Sequence, residues 1–456
     1  MNIKFPEKIN YILETFWQNG FEAYCVGGSI RDSVMGIPTG DWDITTSALP
    51  EETKELFKSE KIIDTGIKHG TVSIIKDHEA IEVTTFRIDG EYSDNRHPEN
   101  VSFTRNLNED LKRRDFTVNT LAYSEKTGLV DFHNGLSDIE NKTIRTVGNA
   151  EERFKEDGLR IMRALRFAST LNFNIEEETK KAIHKQKELL KNISVERISV
   201  ELNKLLLGNN VFNILTEFAD VFAIIIPEID PCISFKQYGK KHAYDVWTHI
   251  CHTVDTIPQD KTLRLTMLLH DLGKVPTHKL NENGDSTFKN HATVGGEMAK
   301  EILTRLRFDK KTINRVSFLV SHHDFEPPET KIELKKKMKI LTSEDVRTLL
   351  IIKKSDRGAL SESYRDISKE SEQVLIWLKE IEENNECVTV GQLKIDGNDL
   401  IKLGFKNEEI GKKLDYLLES VVEEKVSNNK HELLSFLSWH CYYNSIKYIS
   451  IYNDYS

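Results

Sequence analysis

Two acidic residues, Asp41 and Asp43, are separated by one residue and directly follow the turn residues 38–40. Side chains alternate along a strand, so both carboxylates are expected on one face and close together. Like charges at that separation are costly unless a divalent cation lies between them, and Mg²⁺ favours one or two carboxylates with phosphate oxygens. The pair therefore predicts a magnesium and phosphate site, whereas an isolated Asp-x-Asp is more often an exposed turn. Glu82 is a candidate third carboxylate, and a solvated strand face explains it equally well.

Two glycines and an arginine precede this pair. Gly27 and Gly28 follow an apolar strand-like run, and Arg31 stands just inside an expected helix. Glycine lets a phosphate approach backbone N–H groups, while the helix N-terminus and the guanidinium supply positive potential. Two glycines alone are a weak signal, more often a turn than a ligand site. Beside Asp41 and Asp43 they favour metal-assisted binding of a triphosphate.

The helical segment 151–170 carries a pair that suits recognition of a base. Asp157 and Arg160 are three residues apart, so a helix would place an acceptor-only group beside a donor-only group. Cytosine and adenine present an amine beside a ring-nitrogen acceptor, whereas guanine and uracil present the reverse order. A fixed Asp–Arg pair would therefore accept C and A and reject G and U. The alternative is an intrahelical ion pair beside a solvated basic stripe.

Histidine and aspartate further along the chain predict a second metal site. His270 and Asp271 end an apolar helical run, LLHDLGK, and we expect His249 and Asp356 to reach the same metal from other helices. Imidazole with carboxylate suits Mn, Fe, Ni, Co or Zn and does not select among them. The ordered pattern resembles the HD superfamily of phosphohydrolases. That resemblance implies two further candidate ligands, His291 and His323.

The stretch GGSIRDSVMGIPTGDWDITT resembles the signature of class II tRNA nucleotidyltransferases and bacterial poly(A) polymerases. Further motifs follow in family order: VTTFR (83–87), DLKRRDFTVNTLA (110–122), DFHNGLSD (131–138), EDGLRIMRALRF (156–167) and ERISVEL (196–202). The match extends to about residue 230 and implies a polymerase β-like head. Segment 87–98 resembles a flexible loop of the family, which favours competence to add a terminal A.

The resemblance also implies roles for individual residues. Asp41 and Asp43 would hold the catalytic metals while a terminal ribose 3′-hydroxyl attacks the α-phosphate and pyrophosphate leaves. Asp115 would meet the ribose, and Asp157 and Arg160 would select CTP and ATP. The other implied nucleotide contacts are Gly28, Arg31, Arg114, Arg163 and Arg166.

These motifs require a mixed scaffold. Short β-branched and aromatic runs between residues 21 and 131 predict strands, and helical periodicity follows residue 138. We predict an α+β fold with a small mixed or antiparallel sheet in the head and all-helical domains after it. The predicted segments are 1–140 for the head, 141–230 for a neck that selects the base and binds RNA, 231–365 for an HD domain, and 366–456 for a helical tail that contacts tRNA.

Composition limits the partners. The 456 residues carry a formal net charge of −10, which excludes a wholly basic polyanion binder but not local basic surfaces. A lysine cluster at 331–339 is a candidate phosphate contact or a solvated face. Five scattered cysteines indicate reduced thiols in the cytoplasm, and no apolar run is long enough to cross a membrane.

The leading hypothesis is template-independent addition of the 3′-terminal CCA to tRNA from CTP and ATP with Mg²⁺ in the head. The HD site would hold a transition metal or Mg²⁺ and hydrolyse phosphoesters, including 2′,3′-cyclic phosphates, in repair of RNA ends. One alternative is a poly(A) polymerase with the same head. Another is an HD phosphohydrolase whose head only senses a nucleotide.

Overall fold

Alternating strands and short helices form the head in the computed structural model, which describes residues 3–90 and 100–439. Its elements are α1 (Glu7–Gln18), β1 (Ala23–Val26), α2 (Gly28–Val34), β2 (Asp43–Thr46), α3 (Pro50–Leu56), β3 (Lys61–Gly66), β4 (Thr71–Lys76), β5 (Glu79–Thr85), β6 (Arg87–Asp89), β7 (Val101–Phe103), α4 (Leu107–Lys112), β8 (Ala122–Ser124), β9 (Gly128–Val130), α5 (Gly135–Glu140) and β10 (Thr143–Ile144).

Seven strands form one mixed sheet in the order β3-β4-β5-β2-β1-β8-β9. Strand β2 lies antiparallel to β1, with Val26 opposite Asp43, and parallel to β5, with Ile44 opposite Val83. The other neighbouring strands of this sheet run antiparallel. Helix α1 packs its apolar face, which includes Phe16, into the core beneath the sheet. The predicted α+β class and mixed sheet are confirmed.

Helices dominate the chain after the head. They are α6 (Ala150–Glu156), α7 (Leu159–Leu171), α8 (Glu177–Gln186), α9 (Val195–Leu206), α10 (Val211–Glu217), α11 (Ala219–Ile225), α12 (Val246–Thr256), α13 (Lys261–Leu269), α14 (Lys274–Thr277), α15 (His291–Arg305) and α16 (Lys310–Ser321). Short strands β11 (Asn174–Ile175), β12 (Lys279–Leu280) and β13 (Ser286–Thr287) interrupt them. Strand β11 pairs in parallel with β10, so the neck is joined to the end of the head.

One expected helix is broken in two. The periodicity of segment 151–170 predicts continuous helix, but α6 ends at Glu156 and Asp157 is extended, with φ −141° and ψ 105°. The Asp157 carboxylate accepts from the N–H of Leu159 at 3.0 Å, as a residue that caps a new helix does. The premise that Asp157 and Arg160 share one face of a continuous helix is therefore wrong.

The chain packs as two compact units, residues 1–321 and 322–456. The second contains α17 (Lys331–Lys337), α18 (Ser343–Gly358), α19 (Ser368–Glu383), α20 (Gly397–Lys402), α21 (Glu408–Val422) and a helical stretch over 430–439. Leu400, Leu417 and Leu433 lie in its core. The boundary after residue 321 falls inside the predicted HD segment, and the four predicted domain segments stay a prediction.

The lysine cluster lies in this second unit, largely in ion pairs. Lys335 is buried, and its Nζ lies 2.5 Å from a carboxylate oxygen of Glu386 and 3.3 Å from one of Glu424. Lys331 also pairs with Glu386, at 2.7 Å, and Lys336 pairs with Glu423, the residue that follows α21, at 2.6 Å. These charges bind helices together, so the cluster is not the open basic surface that a phosphate contact needs.

No helix within residues 3–90 and 100–439 is both long enough and apolar enough to cross a bilayer.

Candidate functional site

The acidic residues of the head lie side by side where strand β2 begins, next to the middle of strand β5. Burial alternates along Asp41, Trp42 and Asp43, with both aspartates exposed and the tryptophan buried. The indole of Trp42 packs edge-on against Phe5, with ring centroids 5.1 Å apart, and so fixes the backbone between the two acids. Since Ile44 pairs with Val83, the preceding residues Asp43 and Glu82 are neighbours across the parallel strands. The predicted pairing of Asp41 and Asp43 on one face therefore agrees with the structure.

The electrostatic interactions among these carboxylates fit a divalent cation. Surrounding protein atoms partly desolvate the Asp43 carboxyl group, although its side chain is exposed, and this raises its pKa. The Arg114 guanidinium lowers that pKa, and the carboxylates of Asp41 and Glu82 raise it further. Three mutually repelling carboxylates are an oxygen donor set that suits a hard cation such as Mg²⁺. The residues present thus fit the metal that the sequence predicts here, with Glu82 available as a third oxygen donor.

Arg114 lies directly above the first glycine of the Gly-Gly pair. A Cβ on Gly27, whose φ is +80°, would lie 3.1 Å from Nη1 of Arg114, so the absence of a side chain makes room for the guanidinium. Arg113, by contrast, donates two hydrogen bonds to Asp110, at 2.9 and 2.8 Å. Burial lowers the pKa of Arg114, opposed first by Asp110. Of the two adjacent arginines, Arg114 is the one that interacts with Asp43.

Hydrogen bonds connect the arginine of helix α2 to the neck. Nη1 of Arg31 donates to the amide oxygen of Asn119 at 2.6 Å, and the Asn119 amide donates to Asp115 at 3.0 Å. Arg163 donates to the other carboxylate oxygen of Asp115 through Nε and Nη2, at 2.8 and 2.5 Å. Burial would raise the pKa of Asp115, but Arg163 and Asn119 hold it well below its usual range. Asp115 is therefore an ionised anchor between head and neck.

The second neck arginine is anchored by an acid of helix α9. Nε of Arg166 donates to Glu201 at 2.8 Å, and the same buried carboxylate lies 3.9 Å from Nη1 of Arg163. Burial lowers the pKa of Arg166, and Glu201 opposes that effect. Gly28, Arg31, Arg114, Arg163 and Arg166, the predicted nucleotide contacts, are thus all part of the first unit and within one network or next to it.

Asp157 has a different cationic partner from the one expected. Nη2 of Arg197, on α9, donates to Oδ2 of Asp157 at 2.9 Å, and Leu159 N–H donates to Oδ1 at 3.0 Å. Arg160 instead donates to Glu156, and to the carbonyl oxygens of Arg153 and Arg113 at 3.0 Å each. The base-selecting role of Asp157 and Arg160 stays a prediction, with each side chain oriented by separate partners.

A second cluster surrounds Asp271 near the end of helix α13. Nε2 of His249, on α12, lies 3.3 Å from Oδ2 of Asp271, and Nε2 of His270 lies 3.2 Å from the same oxygen. His291, the first residue of α15, brings Nε2 to 3.5 Å from Oδ1. Lys274 contacts Oδ2 at 2.6 Å. All five residues are buried, so four predicted metal ligands of the first unit converge there.

The orientation of two histidine rings in this cluster fits a metal. Nδ1 of His270 lies 2.7 Å from the carbonyl oxygen of Met267, and Nδ1 of His291 lies 2.8 Å from that of Phe288. A carbonyl only accepts, so each Nδ1 carries a proton and a neutral ring directs the lone pair of Nε2 toward Asp271. Imidazole and carboxylate lone pairs repel unless a cation or an added proton lies between them. This is the outer-shell arrangement of metal-ligating histidine.

A close backbone contact holds His291 in place. A Cβ on Gly273 would lie 2.2 Å from the carbonyl oxygen of His291 and 2.7 Å from the backbone nitrogen of Gly295. Only glycine allows the turn after Asp271 to approach helix α15 this closely. Asp356, on α18, and His323 belong to the second unit, and their place among the ligands stays a prediction.

Sequence reasoning assigned no role to four residues that the structure brings to the head site. Asn119, Phe167, Arg197 and Glu201 all fall inside the quoted motifs, yet their types alone do not reveal their partners. The spacing of Arg197 and Glu201 carries a usable signal, because residues i and i+4 share a helix face. Residues 91–99, which include most of the predicted flexible loop, and the aromatic tail from 440 lie outside the described residues.

Three family models match the chain in order. The poly(A) polymerase head domain matches residues 23–145, a "probable RNA and SrmB-binding site of polymerase A" matches 172–233, and the HD domain matches 240–359. Head and HD domains of these classes point to divalent-metal use. The chain thus contains a head domain of the poly(A) polymerase type followed by an HD domain.

Relatives narrow this class. The CCA-adding enzyme of Lactobacillus delbrueckii subsp. bulgaricus is 35% identical over 94% of this chain and 96% of that protein. The enzyme of Ligilactobacillus salivarius is 46% identical over 52% of this chain. For the first curated relatives the match spans about half to two thirds of their length, 60% for the L. salivarius enzyme and 49% for that of Lactobacillus helveticus. The chain belongs to the CCA-adding enzyme family.

Solved structures agree with this family. The crystal structure of the Bacillus stearothermophilus CCA-adding enzyme in complex with CTP matches 98% of this chain and 100% of that one, with a TM-score of 0.70 and 28% identity. The Thermotoga maritima CCA-adding enzyme complexed with tRNA shares the fold, with a TM-score of 0.58 at 20% identity.

Proposed function

We propose that this protein adds the 3′-terminal CCA to tRNA without a nucleic-acid template, using CTP and ATP and releasing pyrophosphate. The observation that carries the proposal is the junction of head and neck. There the carboxylates of Asp41, Asp43 and Glu82 interact electrostatically near the start of strand β2, beside Arg114. Relatives along almost the whole chain are CCA-adding enzymes. A cytoplasmic location fits the four free thiols among the described residues.

Charge and position explain the transfer step. Held by Asp41 and Asp43, a divalent cation, with Mg²⁺ as the proposed ion, would activate the ribose 3′-hydroxyl and neutralise phosphate charge. Arg31, Arg114, Arg163 and Arg166 bind the triphosphate and orient its α-phosphorus in line with the hydroxyl. Phosphoryl transfer needs little more than this positioning and charge neutralisation.

Hydrogen bonding explains the choice of base. Asp157 accepts from the exocyclic amine of C or A, and Arg160 donates to the neighbouring ring nitrogen. Arg197 orients the Asp157 carboxylate, since its guanidinium donates to Oδ2 at 2.9 Å. To donate to a base, Arg160 exchanges one of its backbone partners, the carbonyl oxygens of Arg153 or Arg113.

A second activity, hydrolysis of phosphoesters in the HD part, is favoured by the convergence of three histidines on Asp271. A divalent metal bound there would supply a nucleophilic water. We propose that His249, His270, Asp271 and Asp356 hold it, with His291 and His323 as additional ligands. Terminal phosphates and 2′,3′-cyclic phosphates of damaged tRNA are the proposed substrates.

The test is to incubate the purified full-length chain with a tRNA transcript that lacks CCA, together with CTP, ATP and Mg²⁺. Extension by three nucleotides and a stop is expected, whereas long A tails indicate the poly(A) polymerase alternative. Asp41→Asn should abolish incorporation and leave phosphoesterase activity toward a 2′,3′-cyclic nucleotide intact. Asp271→Asn should do the reverse. If either change removes both activities or neither, the assignment of the two sites is incorrect.

A further inference from the structure

One aromatic side chain of the neck is surrounded by guanidinium groups. Phe167, on α7, is buried, and three arginines approach its ring. The distances from the guanidinium carbon to the ring centroid are 5.0 Å for Arg31, 5.3 Å for Arg163 and 3.5 Å for Arg166. All lie within the range of cation–π attraction, which is stronger where water is excluded.

The acids around these arginines each hold only part of a guanidinium. Asp32 accepts from Nε of Arg31 at 2.8 Å, and Glu201 accepts from Nε of Arg166 at 2.8 Å. Arg31 is held on its other side by Asn119 as well. Among the described residues, neither terminal nitrogen of Arg166 donates a hydrogen bond. The guanidinium plane of Arg166, which Glu201 holds through Nε, can still turn about that contact. Contact with the ring of Phe167 restricts that turning.

Phe167 also joins two separate elements of the first unit. Arg31 comes from α2 of the head, whereas Arg163 and Arg166 belong to α7 of the neck. The ring of Phe116 packs edge-on against Phe167, with centroids 5.7 Å apart and planes at 77°. Among the described residues, no arginine lies over the Phe116 ring. The aromatic ring is therefore the common neighbour of head and neck arginines.

We propose that Phe167 is a positioning residue for the incoming nucleotide: its π-system orients Arg31, Arg163 and Arg166 so that their remaining N–H groups receive the triphosphate. This inference rests on the proposed function. Phosphates are common to CTP and ATP, so Phe167 acts on the affinity for both nucleotides equally and leaves the choice of base to Asp157 and Arg160. Pre-orientation lowers the entropy cost of binding.

The decisive experiment changes the quadrupole of the ring while preserving its shape. Phe167 in the full-length chain is replaced by mono-, di- and trifluorophenylalanine, and KM and kcat for CTP and ATP are measured on tRNA acceptors. KM should rise stepwise with fluorination for both nucleotides, to about fivefold for the trifluoro ring, with kcat nearly constant. The same series at Phe116, a matched ring without arginines, should leave KM unchanged.

Replacement of Phe167 by two of the standard amino acids completes the test. Phe167→Leu should raise both KM values about tenfold, and Phe167→Tyr, which keeps the aromatic face, should restore them most of the way. A flat KM across the fluorinated series, or an equal rise at Phe116, overturns the role of Phe167 and leaves CCA addition standing. A wild-type chain that adds no CCA overturns the proposed function, and the role of Phe167 falls with it.

Discussion

Asp157 shows how a single residue acquires its chemistry from its neighbours. Arg197 and the N–H of Leu159 occupy one oxygen each of its carboxylate. Both partners donate hydrogen bonds and so orient the carboxylate, whose oxygens accept. An amine on a base suits such an acceptor, and a keto oxygen is repelled by it. Selection between bases thus depends on Arg197, which contacts no base in this scheme.

Replacing Arg197 by methionine, which is unbranched and uncharged, should weaken base selection. We expect kcat/KM for CTP and ATP to fall about tenfold, because a charged hydrogen-bond partner of Asp157 is lost. Misincorporation of UTP and GTP should rise. Single-nucleotide extension of tRNA acceptors measures both effects. Lys204→Met, an exposed position on the same helix, is the control; equal behaviour of the two variants contradicts the role of Arg197.

Sequence reasoning reaches these residues unevenly. Asp41 and Asp43 were predictable because alternation along a strand is a local rule, and the structure has them exposed on either side of buried Trp42. The partner of Asp157 was not, because Arg197 is 40 residues away and meets it only through helix packing. The Asp-Gly dipeptide at 157–158 was the available signal for the helix break, since it is typical of turns.

At the scale of elements, a strand or surface can be predicted where it depends on a local sequence pattern and not where it depends on distant partners. Strands β1, β2, β4, β5 and β9 lie in the β-branched and aromatic runs that predict strands between residues 21 and 131. Strand β8 is only three residues long, Ala122–Ser124, and carries no alternation that a sequence pattern could reveal. The lysines of α17 look like an RNA surface in sequence. Their acidic partners, such as Glu386, lie far along the chain and become neighbours only on folding.

Lys335→Ala should therefore affect stability and not RNA binding. Breaking its largely buried pair with Glu386 should lower the free energy of unfolding by about 2 kcal/mol. Affinity for tRNA should stay within about twofold of wild type, since no phosphate contact is lost. Urea unfolding and filter binding measure the two quantities. Lys339→Ala, in the same cluster, should change neither; a loss of tRNA affinity at Lys335 without loss of stability would restore the phosphate-contact reading.

At the scale of the whole molecule, the net charge is negative, but the arginines gather in one region. The chain carries −10 overall, yet arginines concentrate where head meets neck, and buried acids such as Asp115 and Glu201 hold them there. A local positive site within an acidic protein attracts a polyanion at short range only. Overall composition excludes a wholly basic molecule but could not predict this arrangement, which depends on the fold.

Affinity for tRNA should consequently fall steeply as salt is raised. Each phosphate that an arginine or lysine neutralises releases counterions, so a plot of log affinity against log salt should be linear with a slope of about −3 or steeper. Filter binding of the wild-type chain between low and physiological salt provides the measurement. A slope near zero would mean that shape and base contacts, without phosphate contacts, hold the tRNA.

Gly273 makes the HD cluster sensitive to single base changes. Its α-carbon lies so close to helix α15 that any side chain would collide with the carbonyl oxygen of His291, 2.2 Å from a Cβ. One base change in a glycine codon introduces alanine, serine or valine, and each would displace a ligand. A single base change would therefore disrupt the proposed metal site of the HD domain while leaving the residues proposed for nucleotide addition unchanged.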